Sequence, residues 1–196
     1  MYRLLIADAV MYLLFEYVKL LKNDWFARQG ASLMNTFGLP ESVKKILVVC
    51  MGNICRSPTG EAVLKHKLVA AQLDIVVDSA GTIAYHQGNP PDKRSAAAGQ
   101  KRGYNFKGMT ARQVKPQDFV DFDLILAADK ANLADLMALC PIQHQHKVML
   151  FMNFSAGEYD EIPDPYYGNG DGFETVLDLI EDACDRLIIE LQKNPK

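Results

Sequence analysis

The sequence predicts an α/β protein: a three-layer sandwich in which helices cover both faces of a four-stranded parallel sheet. Short, continuous apolar runs recur along the chain, with helical stretches between them. Strands that are apolar on both sides are typical of parallel sheets buried between helices. In addition, 49% of the 196 residues are apolar, which is enough for one such domain with a modest appendage.

Strands and helices alternate from residue 43 onward. The predicted strands cover residues 46–49, 75–81 (including the exit loop), 124–128 and 147–150. The predicted helices cover residues 61–73, 93–102, 130–139 and 172–192, and Gly103 and Pro141 are stop signals for the second and third. Ligands of parallel sheets bind beyond the carboxyl ends of the strands. Because Cys50 and Asp129 follow two predicted strands, a site is expected beside them.

Residues 1–42 are predicted to be a helical extension with a linker, and residues 43–196 the domain itself. The first 28 positions are rich in apolar and aromatic residues and contain no proline or glycine, and Gly38 and Pro40 mark the linker. Charged residues interrupt the apolar run, which is shorter than the roughly 20 apolar residues of a membrane span, and no signal-peptide cleavage site follows. The helix either packs, on its own domain or on a second copy in a homodimer, or lies on a membrane surface. The segment has few basic residues to bind anionic lipid, which favours packing over membrane attachment.

Charge and cysteine usage exclude several classes of protein. The net charge is -3, and lysine and arginine are scattered rather than clustered, which argues against a nucleic-acid partner. The four cysteines lack the paired spacing of a zinc site and the framework of a small secreted scaffold: Cys50, Cys55, Cys140 and Cys184. We therefore expect a cytoplasmic protein without a metal.

A loop with anion-binding character follows the first predicted strand. Cys50 ends the strand, five residues follow, and Arg56 and Ser57 then open a helical segment. This spacing lets the loop curl around one tetrahedral oxyanion with its backbone N–H groups turned inward. Gly52 permits a tight backbone, and we expect the side-chain amide of Asn53 to tie the loop in shape.

The same spacing predicts nucleophilic chemistry. Helix N-termini and nearby cations lower a cysteine pKa from about 8.5 to between roughly 3.5 and 7.5. Cys50 would then attack phosphorus and carry a phosphocysteine intermediate, while the Arg56 fork holds two equatorial oxygens. The alternative is a buried structural cysteine beside a surface arginine. A position between a strand and a helix favours the catalytic interpretation.

A proton donor is needed for the leaving oxygen, and a general acid contributes typically about 10²–10⁴-fold. Asp164 is the candidate, because Pro163 and Pro165 restrict the backbone on either side of it. Tyr166 and Tyr167 follow directly and could wall a slot for a planar ring. The alternative is a polar turn with surface aromatics, which the presence of the cysteine–arginine loop makes less favourable.

Three blocks of the chain resemble the low-molecular-weight protein tyrosine phosphatase family: residues 50–58, 78–82 and 164–167, with shorter matches at 111–113 and 129–132. The resemblance implies the flavodoxin-like fold of that family, a phosphotyrosine protein as substrate, and no metal or cofactor. It implies Cys50 as nucleophile, Arg56 as phosphate clamp and Asp164 as general acid. It also places nine residues around the phosphate and the aromatic ring: Met51, Gly52, Asn53, Ile54, Cys55, Ser57, Tyr85, Tyr166 and Tyr167.

Two departures and one redox implication accompany the resemblance. Three residues before Arg112 the family usually has histidine, whereas this chain has Met109, which removes a hydrogen-bond partner of Asn53. The extension of some forty residues has no counterpart in the minimal family domain. The resemblance further implies a reversible Cys50–Cys55 disulfide that protects the nucleophile; the alternative is that Cys55 only fills space.

Three other functions compete with this prediction. Thioredoxin-coupled arsenate reductases share the fold and loop but need further cysteines in a nearby segment, where Cys140 stands alone. Protein-arginine phosphatases tend to have threonine at the loop position of Ile54, so an apolar residue there, beside two tyrosines, favours phosphotyrosine. A non-enzymatic phosphotyrosine-binding protein would be expected to lack Cys50 or Asp164, and both are present.

Overall fold

A four-stranded parallel sheet forms the centre of the computed structural model, which describes residues 38–166 and 171–193. Its strands are β1 (Lys45–Cys50), β2 (Val76–Gly81), β3 (Leu124–Ala127) and β4 (Val148–Leu150). They lie in the order β2–β1–β3–β4, so β1 is paired on both sides. The predicted α/β class and the parallel, four-stranded sheet are confirmed.

Helices cover both faces of this sheet. They are α1 (Arg56–Ala70), α2 (Lys93–Lys101), α3 (Asp118–Asp121), α4 (Lys130–Leu139) and α5 (Gly172–Gln192), with 3-10 helices at Ile142–Lys147 and Phe151–Phe154. The first, second and fifth helices pack together on one face, and α4 packs against β3 and β4 on the other. The structure is therefore the predicted three-layer sandwich.

The side chains of β1 alternate between two hydrophobic cores. Ile46 and Val48 belong to the core under α1 and α5, whereas Leu47 and Val49 belong to the core under α3 and α4. All four are at most 1% exposed. Burying a side chain of this size stabilises the fold by about 1.5–3 kcal/mol, so the strand that leads into Cys50 is held from both faces.

The first helix begins five residues earlier than the predicted start at residue 61, because Arg56 already lies in its first turn. The prediction was wrong here because Pro58 and Gly60 look like loop residues. Proline is tolerated in a first helical turn, where its missing N–H has no intrahelical partner. Gly60 lets the helix approach the sheet, since a Cβ there would lie 3.0 Å from Val48 Cγ1.

Other boundaries lie within a few residues of the predictions, and α4 and α5 have the predicted bounds. The short helix α3 and the two 3-10 helices were not predicted. The helix expected within residues 1–37, and its packing or dimerisation, fall outside the described residues. Within 38–166 and 171–193, no helix has both the length and the apolar character needed to span a membrane.

Candidate active site

A short loop, residues 51–55, connects the central strand to the first helix, and we call it the cradle loop. Cys50 is the last residue of β1, and Arg56 is the first of α1. Asn53 takes a left-handed backbone conformation with φ 55°, which asparagine tolerates better than most residues. A Cβ at Gly81, on the neighbouring strand, would lie 2.6 Å from the Met51 carbonyl oxygen, so only glycine lets the loop pass this closely.

Asn53 holds the cradle loop through its side-chain amide, as expected. The amide nitrogen donates to Ser57 Oγ and to Ser79 Oγ, both at 2.9 Å. Its oxygen accepts the backbone N–H of Arg112 at 2.9 Å. Asn53 is 3% exposed, so these hydrogen bonds form away from bulk water, where leaving a polar group unpaired is costly.

Asn53 keeps its side-chain hydrogen bonds although residue 109 is methionine instead of the family's usual histidine. Both amide hydrogens and the amide oxygen of Asn53 have partners without residue 109. Met109 itself packs against the core under α1. Behind Asn53, Ser79 donates to the buried carboxylate of Glu61 at 2.5 Å, and Glu61 in turn pairs with Lys65 at 2.5 Å. The loop is therefore supported through this chain of polar side chains.

Cys50 lies at the bottom of the site, 3% exposed, with its thiol sulfur 3.1 Å from Ser57 Oγ. The Ser57 hydroxyl has a single hydrogen, which can be donated either to this sulfur or to the Ala80 carbonyl at 3.3 Å. A hydroxyl in this position can donate to a thiolate sulfur. Cys50 and a hydrogen-bond donor for its sulfur therefore lie together at the bottom of the site.

Arg56 is buried and held on two sides. One terminal nitrogen of its guanidinium donates to Asp129 Oδ2 at 2.5 Å and to the Ile162 carbonyl at 3.2 Å, and the other donates to Asp164 Oδ2 at 2.8 Å. Burial alone lowers the pKa of this guanidinium, but the charges of Cys50 and the two carboxylates outweigh burial and raise the pKa above its ordinary value. The side chain is a permanent, oriented cation.

Asp164 lies on the segment 162–166, which we call the acid loop. One oxygen of its carboxylate accepts from Arg56, and the other accepts the backbone N–H of Tyr166 at 3.0 Å. The side chain is 40% exposed, so it can exchange a proton with water. Arg56 and Asp164, 108 positions apart in the chain, therefore meet in one site.

A cleft of about 300 Å³ opens above Cys50 and brings together most of the predicted residues. It is lined by Cys50, Met51, Gly52, Cys55, Arg56, Ile83, Tyr85, His86, Asp164 and Tyr166. Asn53 and Ser57 do not line this cleft, and the side chain of Ile54 packs against the hydrophobic core instead. Tyr167 lies outside the described residues.

Two residues of the cleft, Ile83 and His86, were not predicted. Both belong to the loop after β2, which hydrogen bonds to the cradle loop through Ile83 N and the Met51 carbonyl at 3.1 Å. The His86 ring stands edge-on to the Tyr85 ring at 4.8 Å between centroids. Only their place after a strand end could have indicated them. Within residues 38–166 and 171–193, no group of three or more His, Cys, Asp or Glu side chains has a metal-binding arrangement.

Known proteins resemble this chain in sequence and in fold. Residues 45–196 match the family described as low molecular weight phosphotyrosine protein phosphatase. A Synechocystis sp. protein named for the same family is 48% identical over 153 residues, which are 76% of this chain and 97% of the relative. The low molecular weight protein-tyrosine-phosphatase YfkJ of Bacillus subtilis is 38% identical over 152 residues, 76% of this chain and 96% of YfkJ.

A solved structure gives the same result. The crystal structure of a protein tyrosine phosphatase from Entamoeba histolytica, with Hepes in its active site, superposes with a TM-score of 0.74 at 43% identity. The match covers 76% of this chain and 97% of that chain. Fold and comparisons together define a hydrolase of the protein-tyrosine-phosphatase class. The chain belongs to the low molecular weight phosphotyrosine protein phosphatase family, which confirms the family and enzyme class predicted from the sequence.

Proposed function

We propose that this protein hydrolyses phosphotyrosine on protein substrates through a phosphocysteine intermediate. Cys50 is the nucleophile, Arg56 the phosphate clamp and Asp164 the general acid. The observation that carries the proposal is that these three residues line one cleft, in which Arg56 Nη2 donates a hydrogen bond to Asp164 Oδ2 at 2.8 Å. A nucleophile, an oriented cation and a proton donor are what phosphate monoester cleavage requires.

The first step forms a bond between Cys50 Sγ and phosphorus and breaks the bond from phosphorus to the phenolic oxygen. Asp164 gives its proton to that oxygen, so tyrosine leaves as the neutral phenol. In the second step water attacks phosphorus, the Asp164 carboxylate takes a proton from the water, and the sulfur–phosphorus bond breaks. Inorganic phosphate leaves, and both Cys50 and Asp164 return to their starting states.

The depth of the cleft supports an aryl ester as the substrate. Cys50 is only 3% exposed, whereas Tyr166 is 38% and Tyr85 is 83% exposed, so the aromatic side chains lie nearer the mouth. Phosphotyrosine carries its phosphorus farther from the peptide backbone than phosphoserine does, so it suits a buried sulfur below such a rim. Aromatic walls also favour a flat ring between them.

Arsenate and phosphoarginine remain the competing substrates. An arsenate reductase needs another cysteine near the site besides the two of the cleft, Cys50 and Cys55, but Cys140 is buried in the core on the opposite face of the sheet. Ile54 is partly buried, packs against the core and does not line the cleft, so we infer that its side chain does not act directly on the substrate. Substrate selectivity therefore depends on the cleft walls, among them Tyr85 and Tyr166.

We expect the wild-type protein to hydrolyse phosphotyrosine peptides with EDTA present, and phosphoserine peptides at least about 100-fold more slowly, a difference of roughly 2.7 kcal/mol in the barrier. Phosphate release from phosphotyrosine, phosphoserine and phosphoarginine peptides would be measured side by side. Thiol-dependent reduction of arsenate would be measured in parallel. Faster release from phosphoarginine, or arsenate turnover without phosphotyrosine turnover, would overturn the proposed substrate.

We also propose that Cys55 resolves an oxidised Cys50. Peroxide converts the Cys50 thiolate to a sulfenic acid, and the Cys55 thiolate then attacks that sulfur, expels hydroxide and forms a disulfide that an added dithiol reduces. Burial, and then the negative charge of Asp92, raise the pKa of Cys55 to about 12. At neutral pH Cys55 is therefore almost entirely a thiol, and its thiolate fraction grows as the pH rises toward that pKa.

Disulfide formation should consequently accelerate about tenfold per pH unit between about pH 6.5 and 8.5, since the thiolate is the attacking species. The rate of disulfide formation at each pH is measured by peptide mapping and mass spectrometry of the peroxide-treated protein. Cys55→Ala should lose the dithiol-recoverable activity, and Cys184→Ala, in a fully buried position on α5, is the matched control. Equal recovery of wild type and Cys55→Ala would rule out the resolving role.

We place the protein in the cytoplasm. All four cysteines carry free thiols in the structure, and all four are buried. Free thiols are maintained in a reducing compartment, where a catalytic thiolate also stays active.

A further inference from the structure

An aspartate and an arginine at the start of α2 connect the two loops of the active site. On one side, the backbone N–H of Asp92 donates to the Ile54 carbonyl in the cradle loop at 2.8 Å. On the other side, Arg94 Nη1 donates to the Tyr166 carbonyl in the acid loop at 3.3 Å. Neither residue lines the cleft, so the mechanism above does not use them directly.

The guanidinium of Arg94 is held in one orientation. Asp92 accepts from Arg94 Nε at 3.0 Å and from Nη2 at 2.9 Å, a two-point contact that fixes the plane of the fork. The same carboxylate also accepts the backbone N–H of Arg94 at 2.8 Å and so caps α2. The carboxylate that orients Arg94 is therefore itself fixed at the N-terminal end of α2.

Arg94 contacts the acid loop through a ring as well as through a carbonyl. Its guanidinium carbon lies 5.3 Å from the centroid of the Tyr166 ring and 4.8 Å from that of Phe173 in α5. A cation close to an aromatic face is attracted to the negative face of the ring. Arg94 thus holds both the main chain and the side chain of Tyr166.

The position of Tyr166 matters because it bears directly on the proton donor. The backbone N–H of Tyr166 donates to Asp164 Oδ1 at 3.0 Å, and Pro165 between them restricts the backbone. A displacement of Tyr166 therefore moves the Asp164 carboxylate relative to Arg56 and the cleft. Misplacing a catalytic group by about 1 Å can cost as much as 10²-fold in rate.

We propose that Arg94, oriented by Asp92, is a positioning residue that sets the acid loop relative to the cradle loop and so aims Asp164 at the leaving oxygen. This inference rests on the proposed phosphatase function. The proposal assigns two different roles within the site. Arg56 and the cradle loop bind phosphate, and Arg94 keeps Asp164 correctly placed relative to them.

The test compares two esters that differ in their need for the acid. Phenyl phosphate has a poor leaving group, whereas 4-nitrophenyl phosphate leaves readily without a proton. We expect Arg94→Ala to lower kcat/KM about tenfold for phenyl phosphate and about twofold for 4-nitrophenyl phosphate. Arg94→Lys keeps the charge but not the two-point contact, so an intermediate loss of about threefold is expected for phenyl phosphate.

Two further variants sharpen the result. Asp92→Asn keeps a side chain that can cap α2 but weakens the hold on the guanidinium, so it should show the same ester-dependent loss as Arg94→Ala. Arg186→Ala removes a half-exposed arginine of α5 whose ion pair is with Asp182, and it should leave both esters unchanged. Inhibition by vanadate should be equal in all variants, because the cradle loop is intact.

Equal losses on both esters, with a matching fall in Tm, would reduce Arg94 to a structural residue and overturn the proposal. Unchanged kinetics in Arg94→Ala would overturn it too. The proposed function is judged separately in the same assay, by turnover of both esters in the wild type and its absence in Cys50→Ser. A wild type that turns over neither ester would refute the function before any Arg94 variant is measured.

Discussion

Cys50→Ser is expected to lower kcat/KM for 4-nitrophenyl phosphate by about 10⁴-fold or more, to the background of the assay. A serine hydroxyl is a weak nucleophile without an adjacent base, and the group within hydrogen-bond distance of the Cys50 sulfur is the hydroxyl of Ser57, which is not a base. The cradle loop and Arg56 do not depend on the sulfur for their hydrogen bonds. Inorganic phosphate should therefore bind with a Kd within about threefold of that of the wild type.

The control for this variant is Cys140→Ser, which makes the same atomic change in the core on the opposite face of the sheet. It should retain turnover wherever it retains the fold, as judged by circular dichroism. Calorimetry with phosphate distinguishes a lost nucleophile from a collapsed site. Measurable turnover in Cys50→Ser above a mock purification would exclude the phosphocysteine mechanism.

Asp164→Asn should give the second largest effect, and it should depend on the substrate. Asparagine keeps the size of the side chain but has one acceptor oxygen where Asp164 uses two, so it can accept from Arg56 or from the Tyr166 N–H but not from both, and it has no acidic proton to give. We expect kcat/KM to fall by about 10²–10³-fold for phenyl phosphate and by less than about tenfold for 4-nitrophenyl phosphate.

Asp160→Asn provides the comparison, because this exposed carboxylate lies four positions earlier and pairs with Lys130 at the surface. It should leave both esters within about twofold of the wild type, as surface ion pairs contribute little. The slope of log kcat/KM against leaving-group pKa measures the contrast directly. Identical slopes for Asp164→Asn and wild type would remove Asp164 as the general acid.

The cysteine–arginine half of this site could be predicted from the sequence because it is local. Cys50 ends a strand, Arg56 starts a helix, and the five residues between them leave few ways to connect the two. The role of Asn53 also followed from the motif, and its three hydrogen bonds agree with that expectation. Short-range geometry decides the loop and the bond from Asn53 to Ser57, whereas the bonds of Asn53 with Ser79 and Arg112 reach 26 and 59 positions along the chain.

The other half depends on tertiary packing and was predicted only in part. Asp129 was expected near the site from its place after β3, but not as the partner that fixes the Arg56 guanidinium. Ile54 was expected at the substrate site, whereas its side chain packs against the hydrophobic core. His86 had no signal beyond its loop. Such contacts join residues far apart in the chain, and periodicity does not reveal them.

The pairing of β1 on both sides has a further consequence for how the protein opens. Strands buried at the centre of a sheet open with free energies close to that of global unfolding, whereas surface segments open at far lower cost. The cradle loop continues β1, but the acid loop meets the sheet through one backbone bond, from Ile162 to Ala128, beside its contacts with Arg56. We therefore expect gentle heating or denaturant to displace Asp164 before Cys50, so that a partly loosened enzyme would still cleave activated esters after it had lost those that need a proton donor.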